Sequence, residues 1–276
     1  AVSSSTSGPT SVATSGTALV IAGDILISEA KRHHARIIPI DSEQSAIFQC
    51  LEGRGRSELK KVLLTASGGP LLNVPSSRFD RLSVRQVLAH PRWKMGQKIT
   101  VDSATLMNKG FEVIEAQALF QLQMNQIEIV VHPEAIIHSM AEYTDGSVMA
   151  QLSITDMRLP IQYALTYPQR LESGLGPVNF FEIGKLTFQR PDLGKFPSLA
   201  LAIHVGRRGG TLPSVLNAAD EVVVDAFLNG RIRFSDIYRI VEKVVRRHKV
   251  AVRPTLEKIL AADQWAREEA AGLIFR

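Results

Sequence analysis

Hydrophobic and polar positions divide the chain into a mixed first part and a helical last part. Residues 18–35, ALVIAGDILISEAKRHHA, read as a helix, and RIIPI at 36–40 reads as a buried strand. A βα rhythm follows, with strands predicted at 61–65 (KVLLT), 99–101 and 127–131. Between the last two, residues 104–120 form a helical pattern whose apolar face is Met107, Phe111, Ile114 and Ala118. Segments 139–143 and 147–152 flank Asp145-Gly146, a dipeptide that tolerates the positive φ of a tight turn, and predict an antiparallel pair. From 166 to 197, Pro168, Pro177, Pro191 and Pro197 mixed with glycines interrupt every period and predict an extended linker. Beyond it lie helical stripes at 213–228, after Ser235 as N-cap (Ile237, Ile240, Val241, Val244, Val245), and from Pro254 (Leu256, Ile259, Leu260) to a stop at Gly272. The expected architecture is therefore α/β (α+β) with a small mixed sheet, followed by a linker and a C-terminal α-helical bundle.

Composition narrows the class without naming a chemistry. At 276 residues and 45% hydrophobic content the chain can bury a sizeable core, which excludes disorder of the whole. The net charge of +5 favours anionic ligands only weakly. One cysteine, Cys50, excludes an internal disulfide, so folding needs no oxidising compartment, and a cytoplasmic or plastid-like location rather than secretion is expected. No apolar run reaches the roughly 18 residues of a membrane span, so no membrane partner is expected. Residues 1–17 carry no charge and no aromatic side chain and read as a disordered leader.

Three segments carry candidate chemistry. Asp41-Ser42-Glu43 stands where the RIIPI strand ends and a helix, expected to begin near Ser45, starts, the place where open α/β sheets hold ligands. In an extended segment i and i+2 project to one side, so both carboxylates can converge on a hard divalent cation. An acidic residue opening a helix is more often an ordinary cap. In the run from Asp102 to Glu112, Asn108, Lys109 and Glu112 share one helix side, and Ser103 is expected at the helix N-terminus, where phosphate is favoured. The bland alternative for Lys109 and Glu112 is an exposed ion pair. Gly110 in mid-helix costs about 1 kcal/mol relative to Ala and hints at a close backbone approach. The third segment, Thr65-Ala66-Ser67-Gly68-Gly69-Pro70, leaves room for an anion at a strand end, and the stretch after it carries His90, Trp93 and Met95, as a lid or a packed loop would.

Other features argue for structure rather than chemistry. His132 and His138, at strand ends, read as hydrogen-bonded structural residues. No glycine-rich nucleotide motif, P-loop or nucleophile elbow is present. The basic cluster Arg246-Arg247-His248-Lys249 with Arg253 suits a helix C-terminus better than nucleic acid, so no nucleic-acid partner is expected.

Taken in order, IPIDSEQSAIFQCL, LLTASGGP, LAHPRWKMGQKITVDSATLMNKGFEVIEA, VVHPEAIIHSM, DGSVMAQL and LNAADE resemble one family, 1-deoxy-D-xylulose 5-phosphate reductoisomerase, over about residues 18–270. The resemblance implies a catalytic domain at 41–166 with a lid at 67–97, a linker at 167–196 and a helical bundle domain at 197–276, with 18–40 joining a nucleotide domain. It implies that Asp41, Glu43 and Glu112 ligate a divalent metal, Mg²⁺, Mn²⁺ or Co²⁺, and that Ser42 meets the carbonyl and hydroxyl end of the substrate. Ser67, Ser103, Asn108 and Lys109 would hold its phosphate, with His90 and Trp93 closing from the lid; Glu43, Glu112, Lys109 and His90 are the implied catalytic set. The implied reaction turns the phosphorylated sugar into 2-C-methyl-D-erythritol 4-phosphate in isoprenoid biosynthesis, by metal-assisted rearrangement and hydride transfer from NADPH, in a homodimer. Three departures stand out. Ser15-Gly16-Thr17 occupy the place of an Asn-Lys-Glu segment, and the NADPH-binding half is read as absent, so no residue is expected to bind cofactor and hydride transfer by this chain alone is not expected. Gln44 stands where the family often has His, and Asp220 where it often has Asn.

Overall fold

The computed structural model describes residues 11–14 and 16–275. In chain order its elements are β1 (Ser11–Thr14), α1 (Gly16–Arg32), β2 (Arg36–Pro39), α2 (Ser42–Leu51), β3 (Leu59–Ala66), α3 (Val84–Val87), α4 (Gln97–Thr105) and α5 (Met107–Phe120). They continue with β4 (Ile127–Val131), β5 (Ile137–Tyr143), β6 (Val148–Leu152), α6 (Arg158–Thr166), α7 (Phe180–Ile183), α8 (Pro197–Arg208), α9 (Leu212–Leu228), α10 (Phe234–Arg247) and α11 (Leu256–Ile274). The chain separates into two compact units. One holds the described residues up to Leu19 with Gly23–Ser67 and Glu115–Arg190; the other holds Val20–Ala22, Gly68–Ile114 and the residues from Pro191 onward.

The first unit is built on a four-stranded sheet of order β4-β3-β5-β6. β3 lies parallel to β4 and antiparallel to β5, and β5 is antiparallel to β6, which makes the small mixed sheet that the sequence pattern leads one to expect. Val62 and Leu64 of β3 are wholly buried, as suits an inner strand with an apolar face. The β5–β6 turn contains Asp145-Gly146, with Gly146 at φ +87° and Asp145 accepting from the backbone N–H of Ser147 at 2.9 Å. α2 packs on β5 and β6, burying Ala46 and Ile47, and the Tyr143 hydroxyl donates to the Cys50 carbonyl at 2.7 Å. Of the leader expected at 1–17, residues 1–10 and 15 lie outside the described residues. Ser11–Thr14 pair in parallel with β2, and Gly16 opens α1. A ladder is made by backbone groups, so polar composition does not forbid it. The proline-rich stretch between α6 and α8 carries the short α7 and a bridge from Gln189 to Val131.

The second unit buries α9 among α8, α10 and α11. Leu199, Ala202 and Val205 of α8, Val215 and Val223 of α9, Val241 and Val244 of α10 and Ala266 of α11 are all fully buried, which is the apolar interior of a helical bundle. Residues 99–101, expected as a strand, lie inside α4. Their β-branched Ile99, Thr100 and Val101 favour strands intrinsically, but α4 places Val101 and Ala104 in the core, and burial overrides so weak a preference. The helix expected over 104–120 is interrupted at Leu106, which adopts φ +58° and ends α4 before α5 begins. Arg233 rather than Ser235 precedes α10, and Ser235 donates instead to Asp80. Thr255 caps α11, which runs through Gly272 to Ile274. Among the described residues no helix is long and apolar enough to cross a membrane.

Candidate active site

In the first unit the strand-to-helix junction places the carboxylate pair. Asp41 is the N-cap of α2, with φ −62° and ψ 138°, and its Oδ2 accepts from the backbone N–H of Gln44 at 3.4 Å. The helix begins at Ser42, three residues earlier than expected, because Asp41 supplies the cap. Glu43 therefore sits in the first turn, where its charge suits the helix dipole. The capping reading of Asp41 holds, and the carboxylates of Asp41 and Glu43 offer oxygen atoms within 4.8 Å of one another. Their convergence comes from a cap followed by a helical turn rather than from strand alternation. Ser42 donates to Glu43, fixing that carboxylate, and with Ser45, His138, Gln151, Ser153 and Tyr163 it lines a small cavity.

β3 ends at Ala66, and Ser67 follows it directly. Gly68 and Gly69 then adopt φ +84° and +67°, a backbone course open to glycine. In the second unit the room this leaves is filled closely, since a Cβ on Gly69 would lie 2.3 Å from the Ser103 carbonyl oxygen and 3.2 Å from its Oγ. Ser103 is thus brought against the glycine turn. It occupies the last turn of α4, not a helix N-terminus as expected, because the left-handed Leu106 separates it from α5. Thr105 takes over the capping role there, its hydroxyl accepting from the Met107 N–H at 3.2 Å.

α5 aligns Asn108, Lys109 and Glu112 on one side. Asn108 Nδ2 donates to Glu112 Oε1 at 2.6 Å, and the Lys109 ammonium donates to Glu112 Oε2. Lys109 and Glu112 are both buried, so the exposed-ion-pair alternative does not apply. Gly110 lets this helix approach α8: a Cβ there would lie 2.3 Å from the Ala202 Cβ.

Between α3 and α4, His90 and Trp93 are brought together. His90 Nδ1 accepts from the backbone N–H of Trp93 at 2.9 Å and of Arg92 at 3.1 Å, and burial holds the imidazole below its ordinary pKa. His132 and His138 bond the carbonyls of Thr187 (2.9 Å) and Ser153 (3.2 Å), the structural role expected of them.

One buried cluster escapes the motif analysis. Lys98 Nζ lies 2.6 Å from Asp102 Oδ2 and 2.8 Å from Asp220 Oδ2, and both aspartates are buried. Burial and the neighbouring Asp220 hold the Asp102 carboxyl well above the usual carboxylate range. For Lys98, burial acts downward, but Asp220 and Asp102 outweigh it and hold the ammonium above its ordinary range. The i, i+4 spacing of Lys98 and Asp102 is a local signal; Asp220 lies over a hundred positions away, with no spacing to mark it.

Comparison with known proteins assigns this arrangement to a class of reductoisomerase domains. Residues 37–120 match the model of the 1-deoxy-D-xylulose 5-phosphate reductoisomerase C-terminal domain, and residues 152–269 match the DXP reductoisomerase C-terminal domain. The 1-deoxy-D-xylulose 5-phosphate reductoisomerase of Endomicrobium trichonymphae is 50% identical over 257 residues, covering 93% of this chain and 66% of the relative. The solved structure of the enzyme of that name from Zymomonas mobilis in complex with NADPH superposes with TM-score 0.90 at 40% identity, covering 96% of this chain and 69% of that one. A DOX-P reductoisomerase structure in complex with NADPH, fosmidomycin and magnesium gives TM-score 0.88 at 41% identity, with the same coverage. The chain belongs to the 1-deoxy-D-xylulose 5-phosphate reductoisomerase family, and it spans about two thirds of the length of the curated relatives it matches.

Proposed function

We propose that this chain carries the divalent-metal and substrate-binding machinery for conversion of 1-deoxy-D-xylulose 5-phosphate to 2-C-methyl-D-erythritol 4-phosphate in isoprenoid biosynthesis. The observation that carries the proposal is the donor set: the convergent carboxylates of Asp41 and Glu43, and a buried Glu112 held by Asn108 and Lys109 on one helix. An all-oxygen set of this kind suits Mg²⁺, Mn²⁺ or Co²⁺. Asp41, Glu43 and Glu112 would hold the ion, which when bound supplies Lewis-acid polarisation of the substrate carbonyl. Magnesium in a related structure supports the assignment.

The chain's own residues bind and orient. Lys109 offers a compact positive charge, Asn108 and Ser103 offer polar groups, and with Ser67 beside the glycine turn they form the phosphate cradle. Ser42, hydrogen-bonded to Glu43, meets the carbonyl and hydroxyl end. His90 and Trp93, tied to each other, close over the substrate as the lid at 67–97 and exclude water. NADPH supplies the hydride in the family, and no residue of this chain is assigned to it. The absence of any disulfide partner for Cys50 supports a cytoplasmic or plastid-like setting. Calorimetry with Mn²⁺ alone tests the metal assignment: one site is expected, lost on Glu112→Gln and on Glu43→Gln. Unchanged uptake in either variant would exclude it.

A second reading is a unit that binds the phosphorylated sugar or pairs with a second copy without hydride transfer. What favours pairing is β6, the edge strand of the sheet, whose Val148 and Met149 are exposed at 47% and 40%. A chain that remains monomeric at working concentration in equilibrium sedimentation would remove the homodimer from the proposal.

A further inference from the structure

The cluster of Lys98, Asp102 and Asp220 has no part in the proposed reaction, and its charges do not balance. Two carboxylates and one ammonium carry a net negative charge, yet the Asp102 side chain is 3% exposed and that of Asp220 is 0% exposed. Asp102 Oδ1 and Asp220 Oδ1 find no hydrogen-bond donor, and Asp220 Oδ2 has the Lys98 ammonium at 2.8 Å. A buried carboxylate charge without compensation is strongly unfavourable, and an oxygen without a donor adds to the cost. A single proton corrects both faults, because it neutralises the excess charge and becomes the missing donor between the two carboxyls. The charged groups acting on Asp102 are Lys98, on its own helix, and Asp220, on α9. Glu221, next along α9, feels Lys98 but is held by Arg267 of α11 at 2.6 Å. From α5 the Phe111 ring faces Lys98, its centroid 4.8 Å from Nζ.

We propose that Asp102 carries a proton at neutral pH and donates it toward Asp220, and that the neutral cluster so formed is a positioning element for Ser103 and the first turns of α5. Asp102 immediately precedes Ser103, and the cation it holds rests on Phe111, next to Glu112, so one buried group ties α4, α5 and α9 together. Asn at position 220 would leave Lys98 and Asp102 as a one-to-one pair with no spare proton to hold. The second carboxylate at Asp220 is then what gives Asp102 a reason to keep its proton. The proton is gained on folding by a carboxyl whose ordinary value is about 3.9, and no co-reactant is involved.

Infrared spectroscopy of the whole chain at pH 7 reads the proton directly and needs no ligand, so it stands or falls apart from the proposed reaction. Wild type is expected to show the carbonyl stretch of a protonated carboxylic acid, and Asp220→Asn to lose it. Absence of that band in folded wild type, or its persistence in Asp220→Asn, overturns the protonated Asp102. Should Asp220→Asn fail to fold, Lys98→Met keeps both carboxyls without their cation, and the band must then strengthen; an unchanged or absent band overturns the proposal. For positioning, the backbone amide resonances of Ser103 and Lys109 are expected to follow one common titration above neutral pH in wild type and to stay flat in Asp220→Asn, or in Asp102→Asn if the former does not fold. Identical pH profiles in the wild type and the folded variant overturn the positioning role, because a merely structural cluster would not move them differently.

Discussion

A side chain on Gly110 would bring its Cβ within 2.3 Å of the Cβ of Ala202. Helix propensity alone would make Gly110→Ala stabilising by about 1 kcal/mol, but the partner atom is fixed to the backbone of α8 and cannot swing aside. Overpacking costs about 1–3 kcal/mol, so the net change is expected to be destabilising, with Ala202→Gly restoring part of the loss in the double variant. Urea unfolding of the single and double variants measures it. A Gly110→Ala chain more stable than wild type would show that α5 and α8 are not in close contact.

His90 is expected to be neutral at pH 7. Its folded-state pKa lies below the ordinary value through burial, and its Nδ1 already accepts two backbone N–H groups, which protonation at that nitrogen would displace. The sign follows from linkage: with the folded pKa depressed, the stability contributed by neutral His90 is present above about pH 6.5 and is lost as pH falls through that value toward the folded pKa. An NMR titration of the imidazole should give a midpoint below about 6.5. A midpoint at or above that value contradicts the hydrogen bonding described for the segment before α4.

Lys109→Met removes a cation bonded to the buried Glu112, while the bond from Asn108 to that carboxylate survives. Breaking a buried pair on one side costs about 3–5 kcal/mol, and the surviving amide bond places the expected loss at the lower end. Lys109→Met with Glu112→Gln should recover most of it, since no uncompensated charge is then buried. Denaturant midpoints of the two single variants and the double variant decide the matter, and additive losses would mean that the residues are not energetically paired.

Much of the sheet was legible because its strands are short apolar or alternating runs bounded by turn residues. KVLLT became the inner β3, and Asp145-Gly146 became a turn because Gly146 needs positive φ. The site was legible as motifs but not as geometry. Asp41 and Glu43 converge through a cap and a helical turn, which the extended-strand argument did not contain. Ser103 fell at the wrong end of a helix because the left-handed turn at Leu106, a residue with no intrinsic preference for it, splits one apparent helix into α4 and α5. β-branched residues at 99–101 imitated a strand, and their burial within a helix is a tertiary effect with no local signature. The pairing of Lys98 with Asp220 is likewise long-range and has no local signature.

If the proposed metal ligands and phosphate-binding residues serve one ligand, its binding depends on both sets. Titration of the chain with fosmidomycin, the ligand of a related structure, in the presence and absence of Mn²⁺ tests it most directly. Binding is expected only with the metal, abolished by Glu112→Gln and weakened by Lys109→Met. Binding that is equally tight without Mn²⁺ or in Glu112→Gln, or no binding under either condition, would contradict it.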